Sequence, residues 1–172
     1  MPRSYFSLRQ RVDRIVESIE ARYGEQISCR PTCDECCQAG LTLVMVEAAV
    51  IGKSLGIDED RIYLQAGQPP LREEGKCAML TDERLCYIYK NHPIICRTHG
   101  FPLRYDNHQI TVCYQNFLVR APHESALIDM EDINTALFNA NFDYCRHRGL
   151  NPMARVAMDR IFELWKTINK NK

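Results

Sequence analysis

Eight cysteines crowded between Cys29 and Cys113 constrain this chain more than any other feature, because thiols at that density must be turned toward something. They fall as a tight run, Cys29-x3-Cys33-x2-Cys36-Cys37, and a dispersed set, Cys77, Cys86, Cys96 and Cys113, while a ninth, Cys145, stands alone. The chain has 172 residues. A chain of that length buries about 70% of its unfolded surface and folds without disulfide staples. The first eleven residues carry Arg9 and Arg11 and no apolar core of signal-peptide length, so a cytoplasmic location is expected. Thiols stay reduced there, and closely spaced cysteines read as metal ligands or redox groups before they read as disulfides.

Charge and motif content close other routes. Lys+Arg and Asp+Glu both total 22, which leaves no general field for gripping nucleic acid or an anionic membrane. The most apolar stretch, Leu41 to Ile51, is interrupted by Thr42 and Glu47, and it is far shorter than the roughly 18–20 residues a membrane span requires. Neither a nucleic-acid partner nor a membrane is therefore expected. Gly52-Lys53-Ser54 resembles the end of a phosphate-binding loop, but that motif needs glycine where Glu47 stands. No dinucleotide fingerprint or nucleophile elbow is present.

The periodicity predicts an α+β fold: a helix-rich single domain whose helices bracket a small irregular centre of two short β-hairpins and cysteine-bearing loops. Val12, Ile15, Val16, Ile19 and Tyr23 lie at helical spacing, which predicts a helix over 7–23 capped by Ser7 and stopped at Gly24. Pro31 and its polar neighbours make the first cysteine run a loop. Leu41 to Leu55 reads as a short extended entry and a buried helix, with Glu47 and Lys53 on the wet side and Gly56 as the stop. Asp58 caps a short helix to Ala66, ahead of Gly67 and Pro69-Pro70.

Residues 77–80 and 85–89 form the first expected hairpin, 101–105 and 109–113 the second, with a short helix starting at Pro93 between them. Ile133, Leu137, Ala140 and Tyr144 share one helical face ending at Gly149. Asn151-Pro152 then restarts a helix facing inward with Val156, Ala157, Ile161, Leu164, Trp165 and Ile168. No repeat or linker divides the chain. One domain over 1–172 is expected, with its cysteine core at 29–113 and C-terminal helices at 130–169.

Spacing directs the chemistry. The two-residue gap lets Cys33 and Cys36 turn onto one ion, as in zinc ribbons and iron–sulfur loops. Cys36 and Cys37 are joined by a single trans peptide, and adjacent side chains on extended backbone point apart, so the pair is expected to serve two centres or two metals of one cluster. Eight thiols divide into two sets of four, the closed shell of a structural zinc or a cubane cluster, and a polynuclear thiolate cluster uses the same eight. Cys33-Asp-Glu-Cys36 is formally a redox motif, but it lacks the βαβ context of a thioredoxin-like site. Cys145, alone at a helical position, reads as a packed core residue.

His99, two residues beyond Cys96 and beside Gly100, is placed to ligate a metal or to donate to a bound sulfur, although a surface histidine accounts for it as well. His92 is a weaker candidate. Arg97 is placed to hydrogen-bond thiolates and offset their charge, and its alternative is an ordinary salt bridge.

Taken together, these pieces resemble the YkgJ-type cysteine-cluster family, a zinc- or iron-chelating domain. The resemblance is carried by Cys29-x3-Cys33-x2-Cys36-Cys37, Leu41-Thr42 leading into Glu47-Ala48, Cys77-x-x-Leu80, Leu85-Cys86-Tyr87-Ile88-Tyr89, Pro93-x-x-Cys96-Arg97, Phe101-Pro102 and Cys113. It implies that Cys29, Cys33, Cys36, Cys37, Cys77, Cys86, Cys96 and Cys113 chelate zinc or iron. The family also includes flagellin lysine N-methylase-like proteins, but no methyl-donor site is recognisable in this chain. His92 stands where Arg usually precedes the proline, and Thr98-His99-Gly100 separates Arg97 from Phe101.

Two functions follow as expectations. One is a metal-binding module with a zinc or iron partner. The other is an enzyme whose iron–sulfur centre or open iron site performs redox chemistry or modifies a protein. Soft thiolate ligands favour zinc or iron–sulfur over magnesium or calcium and do not choose between the two.

Overall fold

The most apolar stretch of the chain becomes its innermost helix. In the computed structural model, which describes residues 2–169, α2 (Met45–Ser54) buries every residue from Met45 to Gly52. A helix with no solvent face must be wrapped by others. Here α3 (Glu59–Tyr63), α5 (Met130–Arg146) and α6 (Met158–Asn169) pack against α2, while α1 (Arg3–Tyr23) packs against α5 and the one-turn α4 (Ile94–Thr98). Tyr5, Leu8, Val12 and Ile19 are the buried stripe of α1, and Met130, Ile133, Ala140, Tyr144 and Cys145 that of α5. Cys145 is fully buried, as its isolation predicts. No helix among the described residues is long and apolar enough to cross a membrane.

Two small sheets complete a helix-rich α+β architecture. Strand β1 (Thr42–Val44) pairs antiparallel with β5 (Arg155–Ala157), setting Thr42 opposite Ala157. Strands β2 (Leu103–Arg104) and β3 (Ile110–Thr111) form the expected second hairpin, and β4 (Ile128–Asp129) adds in parallel to β2. Strand β1 runs directly into α2 and β5 directly into α6, and because the strands are antiparallel the two helices start from opposite ends of the pairing.

Four expectations are corrected. Helix α1 begins at Arg3 and not after Ser7. Pro2 supplies a preset φ of −74°, the Phe6 N–H bonds its carbonyl at 3.2 Å, and Tyr5 extends the buried stripe by a turn. The first hairpin is cut short: among the described residues it keeps the bridge Leu80–Cys86, with the Thr81 N–H on the Leu85 carbonyl at 2.7 Å and the Tyr87 N–H on the Met79 carbonyl at 2.9 Å, but no full strands. The Cys77 segment pairs with the first cysteine loop, through the Gln38–Lys76 bridge and a 2.9 Å bond from the Cys77 N–H to the Cys37 carbonyl. Residues 155–157 form a strand rather than the start of a helix, because β1 offers Val156 an edge. Glu47, placed on the wet side by its charge, is 3% exposed.

Close packing of α2 on α3 depends on Gly52, where a Cβ would lie 2.6 Å from Cγ1 of Ile62. Alanine is the better helix former by about 1 kcal/mol, but overpacking costs about 1–3 kcal/mol. Gly52→Ala is therefore expected to lower stability in urea or thermal unfolding. A variant as stable as the parent would contradict this contact.

Candidate metal centre

Two consecutive turns shape the first cysteine run. The Cys33 N–H bonds the Arg30 carbonyl and the Cys37 N–H bonds the Asp34 carbonyl, both at 3.0 Å, and Thr32 takes a φ of +76° to let the first turn close. Asp34, between Cys33 and Cys36, is 6% exposed and pairs with Arg84, with Lys76 3.7 Å away. Arg84 beside it holds the Asp34 carboxyl below the usual carboxylate range. The run is thereby clamped to residues 76–84, which carry Cys77 and lead into Cys86.

The far end of the site is tied by Asn116, which is 3% exposed. Its side chain accepts the Ser28 N–H at 2.7 Å, donates to the Gly100 carbonyl at 2.7 Å, and donates to the Cys29 sulfur at 3.4 Å. Gly100 sits at φ +100°, and a Cβ there would lie 3.0 Å from the Cys29 sulfur, so only glycine admits the sulfur this closely. The Cys113 N–H reaches the same Gly100 carbonyl at 3.4 Å. Cys29 and Cys113, 84 positions apart in sequence, are thus gathered round one backbone position.

Cys96 lies on α4. Because Pro93 cannot cap that helix with its own side chain, the N–H of Ile94 is taken at 2.8 Å by Oε1 of Glu47, reaching across from α2. The Tyr5 hydroxyl also donates to this oxygen, at 3.4 Å. Burial raises the Glu47 pKa, and burial likewise raises that of Tyr5.

The thiols fall into neighbourhoods. Cys29 lies near Cys33, Cys113 and Cys36, and Cys37 lies near Cys77, Cys96 and Cys86. Cys36 stands between the groups, close to Cys29, Cys77 and Cys96 as well as to Cys37. The vicinal sulfurs do not point fully apart. The hydrogen bond between them pushes the Cys36 thiol up and the Cys37 thiol down. Burial pushes Cys29, Cys77 and Cys86 up. Cys36 and Cys96 are exposed and the other six are half-buried. The protein packed around Cys96, followed by Cys77, Cys86 and Cys36, pushes its thiol up.

Among the described residues, no three Cys, His, Asp or Glu side chains converge closely enough to hold an ion as they stand. The donor set itself is all sulfur, which fits zinc or an iron–sulfur cluster.

The cations that accompany the thiols differ from the sequence expectation. Arg97 donates to Asp13 and, at 3.0 Å, to the carbonyls of His92 and Lys90, fastening α4 to α1 rather than reaching sulfur. The charges near thiols are Arg72 at Cys77, Lys76 at Cys36 and Arg84 at Cys33. His99 is exposed. His92 is half-buried, and burial followed by Arg97 lowers its pKa to about 4. Sequence reasoning missed Asp34 and Asn116. Asp34 could have been flagged by its place inside the Cys33–Cys36 gap, whereas nothing local marks Asn116.

Fold and site define a helix-rich, cysteine-rich α+β protein, with eight of its cysteines between Cys29 and Cys113 and seven of those eight outside its helices. Residues 28–116 match the family model CxxCxxCC, described as "Putative zinc- or iron-chelating domain". That span is just over half of the chain, and the protein belongs to this family. The family name writes two residues between the first and second cysteines, where this chain has the three residues Arg30, Pro31 and Thr32. No curated protein and no solved structure matches the chain.

Glu47 generates a test. Glu47→Ala strands the Ile94 N–H and the Tyr5 hydroxyl, each at a cost of about 1–3 kcal/mol. Glu47→Gln keeps an acceptor and removes the charge. Because the folded-state pKa is raised, this site costs wild-type stability as pH climbs through that value. The Gln variant should gain on wild type from about pH 4 upward, read as urea midpoints up to about pH 9. A gap that does not change with pH would rule out Glu47 as the titrating group.

Proposed function

We propose that the protein chelates zinc or iron through eight cysteine thiolates arranged as two sets of four. Cys37, Cys77, Cys86 and Cys96 form one set, and Cys29, Cys33, Cys36 and Cys113 form the other. The observation that supports this reading is the set of neighbours of the vicinal pair: Cys37 lies near Cys77, Cys96 and Cys86, while Cys36 also lies near Cys29. Four thiolates complete a tetrahedral zinc or a cubane cluster. Arg72, Lys76 and Arg84 offset the negative charge of such shells, and Asp34 holds two of these cations at the first loop. Neither set requires His99 or Arg97. Soft donors exclude magnesium and calcium as preferred ions.

Elemental analysis after anaerobic purification is expected to find zinc or iron in both sets. Colourless protein with stoichiometric zinc identifies a zinc chelator. Brown protein that bleaches with dithionite identifies iron–sulfur clusters and opens the way to redox chemistry. Cys36→Ser and Cys37→Ser should each empty a different set. Loss of the same ion from both variants refutes the division, and fully folded protein containing neither metal refutes chelation.

A further inference from the structure

Outside the residues that match the family, one carboxylate enters the centre from the other end of the chain. Asp159, the second residue of α6, is 8% exposed. Its Oδ2 accepts the N–H groups of Leu71 at 2.7 Å and Arg72 at 2.9 Å. Its Oδ1 is buried without any hydrogen-bond partner among the described residues. A buried carboxylate oxygen left unpaired is costly, and native structures supply such an atom with a donor. Asp159 also lines a cavity of about 10 Å³ whose wall includes Cys77, Arg72, Gln38 and Met158. A space of roughly 10–15 Å³ accepts one water molecule, provided that polar partners are present.

We propose that Asp159 is a positioning residue for the Cys77 ligand, holding the approach to Cys77 with Oδ2 and sharing one water with the Cys77 sulfur through Oδ1. The water donates one O–H to the carboxylate and the other to the thiolate, so two acceptors that repel each other are joined by a molecule with two donors. Oδ2 meanwhile fixes residues 71 and 72, six and five positions ahead of Cys77, in a stretch of chain with no helix or strand of its own. Hydrogen bonds to a metal-bound sulfur aim the ligand and temper its charge. The inference rests on the chelation reading above and deepens it, because it assigns control of one set to a helix that follows the matched residues.

The experiment compares release of metal to a chromogenic chelator from wild-type protein, Asp159→Asn and Asp159→Leu. Asparagine keeps an oxygen for Leu71 and Arg72 and replaces the buried anion, so its metal-free melting should stay near wild type. Its release from one set should accelerate about tenfold, the lower end of the effect of outer hydrogen-bond partners. Leucine removes both functions and should release faster still and melt earlier. The asparagine effect should persist in a Cys29→Ser background and vanish in a Cys77→Ser background, which ties it to the Cys77 ligand. Unchanged release from a metal-loaded Asp159→Asn protein, or equal acceleration in the Cys77→Ser background, overturns this inference alone. Wild-type protein that takes up neither zinc nor iron overturns the chelation reading and this inference with it.

Discussion

The carboxylate of Glu47 is the joint on which the arrangement depends. It lies inside the all-buried helix α2 and accepts from Tyr5 of α1 and from the first N–H of α4. Placing a carboxylate there carries a desolvation penalty, which burial registers as a raised pKa. The return is geometric. A one-turn helix cannot hold itself together in water, so α4 needs both ends anchored. Glu47 anchors its start, and Arg97, bonded to Asp13 of α1, anchors its end. Cys96 stands between those anchors, and its direction is set by helices that carry no ligand.

Remote capping recurs at α2 itself. Val44 precedes that helix and has no side-chain acceptor, so Asn141 of α5 accepts the Val46 N–H at 3.1 Å and donates to the Pro152 carbonyl at 2.8 Å. Such caps explain which parts of the fold were legible in the sequence. Helices α1, α2 and α5 show as periodic apolar spacing, and the loop character of the first cysteine run shows in Pro31 and its polar neighbours. The depth of Glu47 does not show, because its charge is readable locally and its partners, Tyr5 and Ile94, lie 42 and 47 residues away. The 77–89 hairpin is shorter than its alternation suggests for a similar reason. Local alternation fits a strand, but Cys77 has a competing partner in the Cys37 carbonyl, and the long-range pairing wins.

At the site, residue types were readable and their supports were not. The cysteine spacing marks all eight thiols without structural help, and the isolation of Cys145 marks it as core, where it is fully buried. Arg97 was assigned to sulfur by adjacency. A helix carries successive side chains about 100° apart, so the residue after Cys96 leaves in another direction and meets Asp13 instead. The charges that do reach the thiols come from residues 72–84, which fold back over the first loop because Asp34 draws Lys76 and Arg84 inward.

Between α3 and the 3-10 turn at Tyr89–Asn91 the described chain has no helix or strand, yet it carries Cys77 and Cys86. Fixing each such residue costs about 1–2 kcal/mol of backbone entropy. The ties on this stretch are scattered: the ion pairs of Asp34, the two bonds to Asp159, the Arg160 bond to the Pro69 carbonyl, backbone bonds to Arg155, Ala39 and Cys37, the rings of Phe162 and Trp165 against Tyr87, and the buried side chains of Met79 and Ile88. Under the proposed chelation, metal–thiolate bonds supply the remaining constraint, so binding and ordering of the centre are one equilibrium. Protons oppose it. Burial and mutual repulsion push the thiols of Cys29, Cys77, Cys86 and Cys96 up, while the hydrogen bond with Cys36 pushes that of Cys37 down. An ion must therefore displace protons from these thiols as the shell closes, which weakens the hold on metal as pH falls.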